Sequence, residues 1–147
     1  MGLLTFKGGV HPNDGKSFAK DKEIVELLPK GDLVYPLSQH IGAPASPVVK
    51  KGDHVLKGQM IAEAGGFVSA PIYASVSGTV KAIEPHVNPT GAKVNCIVIE
   101  NDGQYTLAEG IGTEVDYTAL TGPEILDKVK AAGIVGLGGA GFPTHVK

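Results

Sequence analysis

The sequence predicts a mainly β fold centred on residues 47–80. Glycine stands beside a polar residue in residues 51–53 (KGD) and again in residues 57–59 (KGQ). Glycine accepts the positive φ angles that tight turns need, so both triplets predict turns. In residues 76–82 apolar and polar side chains alternate, which is the period of a half-buried strand. We therefore expect short strands that fold tightly on one another.

The same stretch resembles the barrel-sandwich hybrid domain of biotinyl and lipoyl carriers. Residues 49–61 (VKKGDHVLKGQMI) follow the carrier signature V-x-x-G-D-x-V-x-x-G-Q-x-I. The return strand A-P-x-x-G-x-V is represented by residues 70–71 (AP) and residues 78–80 (GTV), with extra residues between them. Carriers attach their cofactor to a lysine at the tip of the hairpin. No lysine lies between Lys57 and Lys81, so we expect the fold of a carrier without its biotin or lipoyl group.

The composition predicts an aliphatic core for this fold, because the chain has no Trp and only 5% aromatic residues. The side chains expected to point inward and to be nearly fully buried are Val49, Val55, Ile61, Val80 and Val98.

Composition excludes several function classes. All 13 basic residues are lysine and the net charge is −2, which argues against nucleic-acid binding, because guanine readout and many phosphate clamps use arginine. Cys96 is the single cysteine and lies in an apolar stretch, which favours a core residue over a nucleophile. One cysteine also excludes an iron–sulfur cluster within these residues. No apolar run reaches the about 18 residues of a membrane span.

The chain divides into four predicted parts. Residues 1–36 are rich in Gly, Pro and Lys and predict an N-terminal arm that ends in a candidate strand. Residues 37–103 form the hybrid domain. Residues 104–120 show no clear period and predict a linker. Residues 121–147 predict the start of a further domain.

That last part opens with a predicted helix. Thr121 and Glu124 have the spacing of a capping box, and Pro123 falls in the first turn. Gly133 suits the C-terminal cap. One helical face carries Ile125, Leu126, Val129 and Ala132.

A glycine-rich segment follows the helix. Residues 136–141 (GLGGAG) satisfy G-x-G-x-x-G, but the Rossmann fingerprint needs a strand before the motif and a helix after it. Here a helix ends at Gly133 and only two residues intervene, so we exclude a Rossmann site. The bare N–H groups of such a segment can still cradle a phosphate. The alternative is a flexible linker.

Three motifs resemble, in the same order, the C subunit of Rnf electron-transport complexes. They are residues 8–12 (GGVHP), residues 37–44 (LSQHIGAP) and residues 132–147 (AGIVGLGGAGFPTHVK). The last motif is also similar to the FMN loop of the flavin-binding subunit of respiratory complex I, G-R-G-G-A-G-F-P-T-G-L-K. It departs from that loop at Leu137, where complex I has Arg.

The resemblance implies a peripheral subunit on the cytoplasmic side of the cell membrane. Such a subunit is an oxidoreductase component that moves electrons between NADH and ferredoxin, in a complex whose other members couple this transfer to ion translocation. Its cofactors are FMN and NADH, together with two [4Fe–4S] clusters on cysteines outside the present residues. The alternative is a non-catalytic hybrid-domain module that docks a partner subunit.

The resemblance also implies a set of site residues. Gly136 and Gly138 would face FMN with Lys147 near its phosphate, and the remaining positions would line the nicotinamide nucleotide. No catalytic residue and no metal ligand is expected here, and the α/β flavin domain would be truncated, so these residues alone are expected to be inactive. The cofactor-binding residues are Gly136, Gly138, Gly139, Ala140, Phe142 and Lys147.

Overall fold

The computed structural model describes residue 10 and residues 12–147, and the predicted GGVHP motif lies mostly outside them. Seven strands are present in this part of the chain, and all of their pairings are antiparallel. In chain order they are β1 Asp32–Pro36, β2 Ser46–Pro47, β3 His54–Val55, β4 Met60–Glu63, β5 Ile72–Tyr73, β6 Gly78–Val87 and β7 Lys93–Asn101.

The strands form two sheets around one core. A four-stranded sheet has the order β1-β7-β6-β3, and a three-stranded sheet has the order β2-β4-β5. The mainly β prediction is thus confirmed, and both sheets contribute to a single cluster of buried, mostly aliphatic side chains. From the two sheets this core receives Tyr35, Val55, Ile61, Ala62, Ile72, Val80, Ile97 and Ile99.

Two of the five predicted inward side chains differ from expectation. Val55, Ile61 and Val80 are fully buried in the core, as predicted. Val49 is only partly buried and packs against the edge of the core. Val98 is buried, but it lies on the opposite face of β7 from Ile97, which belongs to the core, because successive strand residues alternate between faces.

The predicted turns form because glycine occupies left-handed backbone positions. Gly52 has a φ of 92° and Gly58 a φ of 88°, angles that a side chain would strain. Each turn is also closed by its polar residue: the Asp53 carboxylate accepts the Lys50 N–H at 2.9 Å, and the Gln59 side chain accepts the Leu56 N–H at 2.9 Å.

Segments on either side of the predicted hybrid domain also contact the sheets. Residues 32–36, the end of the predicted arm, form β1 and pair along β7. In the segment predicted as a linker, the Thr106 carbonyl accepts the Lys57 N–H at 2.8 Å, and the Ala108 N–H donates to the Lys57 carbonyl at 2.9 Å. The hydroxyl of buried Ser77 accepts the Thr106 N–H, at 2.9 Å.

One α-helix, α1 Gly122–Ala131, follows this segment in the described part of the chain. The Glu124 carboxylate accepts both the N–H and the hydroxyl of Thr121 at 2.7 Å, at the predicted capping-box spacing. These hydrogen bonds hold the pKa of Glu124 below its ordinary value. The far end of α1 touches β5, where the Tyr73 hydroxyl donates to the Ala131 carbonyl. Short 3-10 helices lie at Lys16–Phe18, Tyr117–Ala119 and Thr144–Val146.

Among the described helices, none combines the length and the apolar character needed to cross a membrane.

Candidate functional site

The glycine-rich segment is a closed loop that returns to the end of α1. Val135 and Pro143 form an antiparallel bridge. On one side of it the Gly136 N–H donates to the Phe142 carbonyl at 2.9 Å. Pro143 is fully buried. Residues 136–142, which we call the terminal loop, are therefore closed by the chain's own hydrogen bonds rather than extended as a flexible linker.

The terminal loop contacts the hybrid domain at its far end. The Ile41 N–H donates to the Ala140 carbonyl at 3.1 Å. Gly141 has a φ of 61°, and a Cβ placed on it would lie 2.8 Å from the Gln39 carbonyl oxygen and 3.1 Å from His40 Cα. Such distances are too short for a side chain, so only glycine lets the two segments approach this closely.

Residues 39–41 are in turn attached to the segment before β5 through the buried side chain of His40. The His40 residue is 8% exposed, and its Nε2 accepts the Ala70 N–H at 3.1 Å. Its Nδ1 lies 3.1 Å from the Ile41 carbonyl oxygen, and its Nε2 also lies 3.1 Å from the Ala70 carbonyl oxygen, so both ring nitrogens contact backbone. Ala70 is itself buried and lies two residues before β5.

Three of the six predicted site residues come together at the base of the terminal loop. The Lys147 Nζ lies 5.7 Å from the centroid of the Phe142 ring. It would also lie 3.9 Å from a Cβ on Gly136. An ammonium group over an aromatic face is an attractive arrangement. The base of the loop therefore places one cation beside half-buried backbone.

Gly138 lies at the open part of the loop. No heavy atom would come within 4 Å of a Cβ at this position. Its N–H donates no hydrogen bond to any other described residue. The neighbouring Leu137 side chain is 97% exposed and supplies no charge where complex I has Arg. The loop therefore has room for a side chain at Gly138, and the Gly138 amide makes no hydrogen bond within the described residues.

Gly139 and Ala140 are separated from this base and face the hybrid domain. They line a cavity of about 660 Å³ together with Pro36, residues 38–41 and residues 88–90. The six predicted residues therefore do not form one cluster: three lie together at the base of the loop, two line this cavity, and Gly138 lies apart from both groups.

Sequence reasoning did not indicate which other residues join this region. Ser38 lines the same cavity, and its hydroxyl is buried without a partner in the described part of the chain. The Nδ1 atom of His145 is also buried without a described partner. Both residues belong to motifs that the sequence singles out, but a motif does not show which side chains become enclosed.

Metal-ligating side chains do not converge in the described residues: no three of them lie close enough to hold an ion. Cys96 is 1% exposed within β7, as a core cysteine would be.

The family model of the RnfC barrel sandwich hybrid domain matches residues 4–104. The chain belongs to the RnfC family. This match confirms the barrel-sandwich hybrid prediction and the resemblance to the C subunit of Rnf complexes.

Curated relatives extend the similarity over the terminal loop. The C subunit of the proton-translocating ferredoxin:NAD(+) oxidoreductase complex of Clostridium ljungdahlii is 51% identical over 146 residues, covering 99% of this chain and 32% of that protein. The C subunit of the Na(+)-translocating ferredoxin:NAD(+) oxidoreductase complex of Acetobacterium woodii is 45% identical, over 97% of this chain and 32% of that protein. The C subunit of an ion-translocating oxidoreductase complex of Haemophilus influenzae is 37% identical, over 99% of this chain and 22% of that protein.

The chain therefore spans about a third or less of the length of these RnfC relatives. The relatives are subunits of ion-translocating oxidoreductase complexes.

Proposed function

We propose that this chain is the N-terminal part of a peripheral subunit that transfers electrons between NADH and ferredoxin. The transfer would pass through FMN and two [4Fe–4S] clusters in an ion-translocating membrane complex. The observation that carries the proposal is the closed terminal loop: the Gly138 N–H donates to no other described residue, the Gly138 Cβ position is open, and the Lys147 ammonium group lies at the base.

In this proposal the terminal loop forms one wall of an FMN site. Gly136 and Gly138 face the flavin, because a residue without a side chain lets the ligand approach the backbone. Lys147 balances the charge of the phosphate. FMN would supply the exchange between a two-electron hydride donor and one-electron carriers.

The other side of the loop is proposed for the nicotinamide nucleotide. Gly139 and Ala140 line the cavity against the hybrid domain. Phe142, which the resemblance also assigns to this nucleotide, lies instead at the base of the loop beside Lys147. The two [4Fe–4S] clusters would lie outside the present residues, because Cys96 is the single cysteine here.

The arrangement of the proposed subunit follows from these placements. Residues 121–147, with α1 and the terminal loop, would begin the FMN- and NADH-binding α/β domain. The hybrid domain of residues 37–103 and its flanking segments would precede that domain. The subunit would sit peripherally on the cytoplasmic side of the membrane, bound to other members of the complex.

Flavin titration by fluorescence quenching tests the proposal. The 147-residue chain should bind no FMN and oxidise no NADH, because a single wall cannot exclude water or offset the entropy lost when ligand and loop are ordered. The longer protein that continues past Lys147 should be yellow. In that protein Gly138→Val should weaken FMN binding at least about tenfold, because the new side chain blocks approach to the backbone.

Leu137→Ala in the longer protein is the matched control, since it shortens an exposed side chain in the same loop and keeps the backbone amide. Its FMN affinity should be unchanged. Normal FMN binding by the Gly138→Val protein would remove the terminal loop from the site. A longer protein without flavin would refute the proposal in favour of a docking module without catalysis.

A further inference from the structure

The terminal loop poses a problem of conformational freedom. Four of its seven residues are glycine, and glycine loses more backbone freedom on ordering than any other residue. A ligand that orders such a loop loses part of its binding energy in doing so. A loop that another part of the protein already holds in place avoids this loss.

The hybrid domain holds the loop at two adjacent points. The Ala140 carbonyl accepts the Ile41 N–H, and the Gly141 backbone lies against the Gln39 carbonyl. Ala140 also lines the cavity assigned to the nicotinamide nucleotide, so the hydrogen bond acts on a residue of the proposed site itself. Residues 39–41 are therefore the support against which the loop is set.

Residues 39–41 are attached to the connection between β4 and β5 by hydrogen bonds at His40 and just beyond Ile41. The His40 ring accepts the buried Ala70 N–H at 3.1 Å. Two residues beyond Ile41, the Ala43 N–H donates to the Val68 carbonyl at 3.0 Å. Gly42, between Ile41 and Ala43, has a φ of 97°, and a Cβ on it would lie only 2.1 Å from the Val68 carbonyl oxygen. Residues 41–43 therefore pack directly against the segment that connects β4 to β5.

We infer that the hybrid domain positions the cofactor loop, and that His40 is the positioning residue of this contact. The inference deepens the proposed function and rests on it. His40 does not touch the ligand in this scheme. Through Ala70 it fixes residues 39–41, and Ile41 then fixes Ala140.

Amide exchange measured by NMR on the 147-residue chain tests the contact without any flavin. The Ile41 amide should be protected in the unmodified chain. Gly141→Ala should raise its exchange rate at least about tenfold, because the added Cβ meets the Gln39 carbonyl oxygen and separates the segments. Gly103→Ala is the matched control, since Gly103 also has a positive φ, of 71°, but no atom lies within 4 Å of its Cβ position. Free exchange of Ile41 in the unmodified chain would overturn the inference.

Two substitutions at His40 in the longer protein test the positioning role. His40→Leu fills a similar space without an acceptor and should raise the Kd for FMN about five- to tenfold, the loss of one buried hydrogen bond. His40→Gln keeps an acceptor for the Ala70 N–H and should stay within about twofold of the unmodified protein. Equal FMN affinity in the His40→Leu and His40→Gln proteins would refute the role of His40.

The two proposals fail in different ways. If the unmodified longer protein binds no flavin, the proposed function fails and the positioning role falls with it, whatever the amide exchange shows. If it binds flavin normally while His40→Leu changes nothing, only the positioning role fails.

Discussion

Replacing Ile61 by alanine probes how far the single core stabilises the fold. Ile61 lies in β4 and is fully buried among side chains of both sheets. Alanine removes three carbon atoms, and at about 0.8 kcal/mol for each buried methylene the lost transfer free energy is about 2.4 kcal/mol. The cavity left behind adds to this, so the free energy of unfolding should fall by about 3–4 kcal/mol.

Thermal or urea unfolding followed by circular dichroism measures this change. For a chain of this size, each kcal/mol lowers Tm by about 2–4 °C, so a decrease of about 6–16 °C is expected. Met60→Ala is the control on the same strand, because Met60 is 39% exposed and should cost under about 1 kcal/mol. Similar losses for the two variants, or a loss under about 1 kcal/mol for Ile61→Ala, would refute the shared core.

Two further predictions concern modification and pH. Intact-mass measurement after co-expression with biotin and lipoate ligases should show no added mass, since no lysine lies between Lys57 and Lys81; an increase that matches either cofactor would contradict this. Lowering the pH should loosen the start of α1, because the pKa of Glu124 is depressed by its bonds to Thr121. The stabilisation is complete above the ordinary glutamate pKa of about 4.3 and is lost as the pH falls through the lowered value. NMR Cα shifts of residues 122–131 should show this change, and Glu124→Gln should abolish it; an identical titration in that variant would exclude the cap as the cause.

Local features of this protein were predictable from the sequence because their causes are local. The turns at Gly52 and Gly58 follow from glycine's conformational freedom and from a polar side chain within reach. The capping box of Thr121 and Glu124 likewise joins residues three apart.

The face of β7 on which Val98 lies was not predictable. Residues 96–99 are an unbroken apolar run, and such a run carries no alternation that could show which side chains enter the core. In the structure all four are buried, with Ile97 and Ile99 in the shared core.

The contact between the terminal loop and residues 39–41 was also beyond sequence reasoning. Both motifs are recognisable, and the resemblance assigned roles to residues of one of them. A backbone hydrogen bond such as that from Ile41 to Ala140 depends on how the whole chain folds, and neither side chain takes part in it. Gly141 indicates this contact only after the structure has shown that Gln39 lies beside it.

The long separation in sequence between Ile41 and Ala140 has a consequence for the order of folding. Closing a long segment costs more entropy than closing a short turn, so this contact should form after the strands have paired. Synthesis proceeds from the N-terminus, so residues 37–103 leave the ribosome before the terminal loop does. The emerging loop would then meet a barrel that has already formed, and the barrel would act as a template for the cofactor loop as it is made.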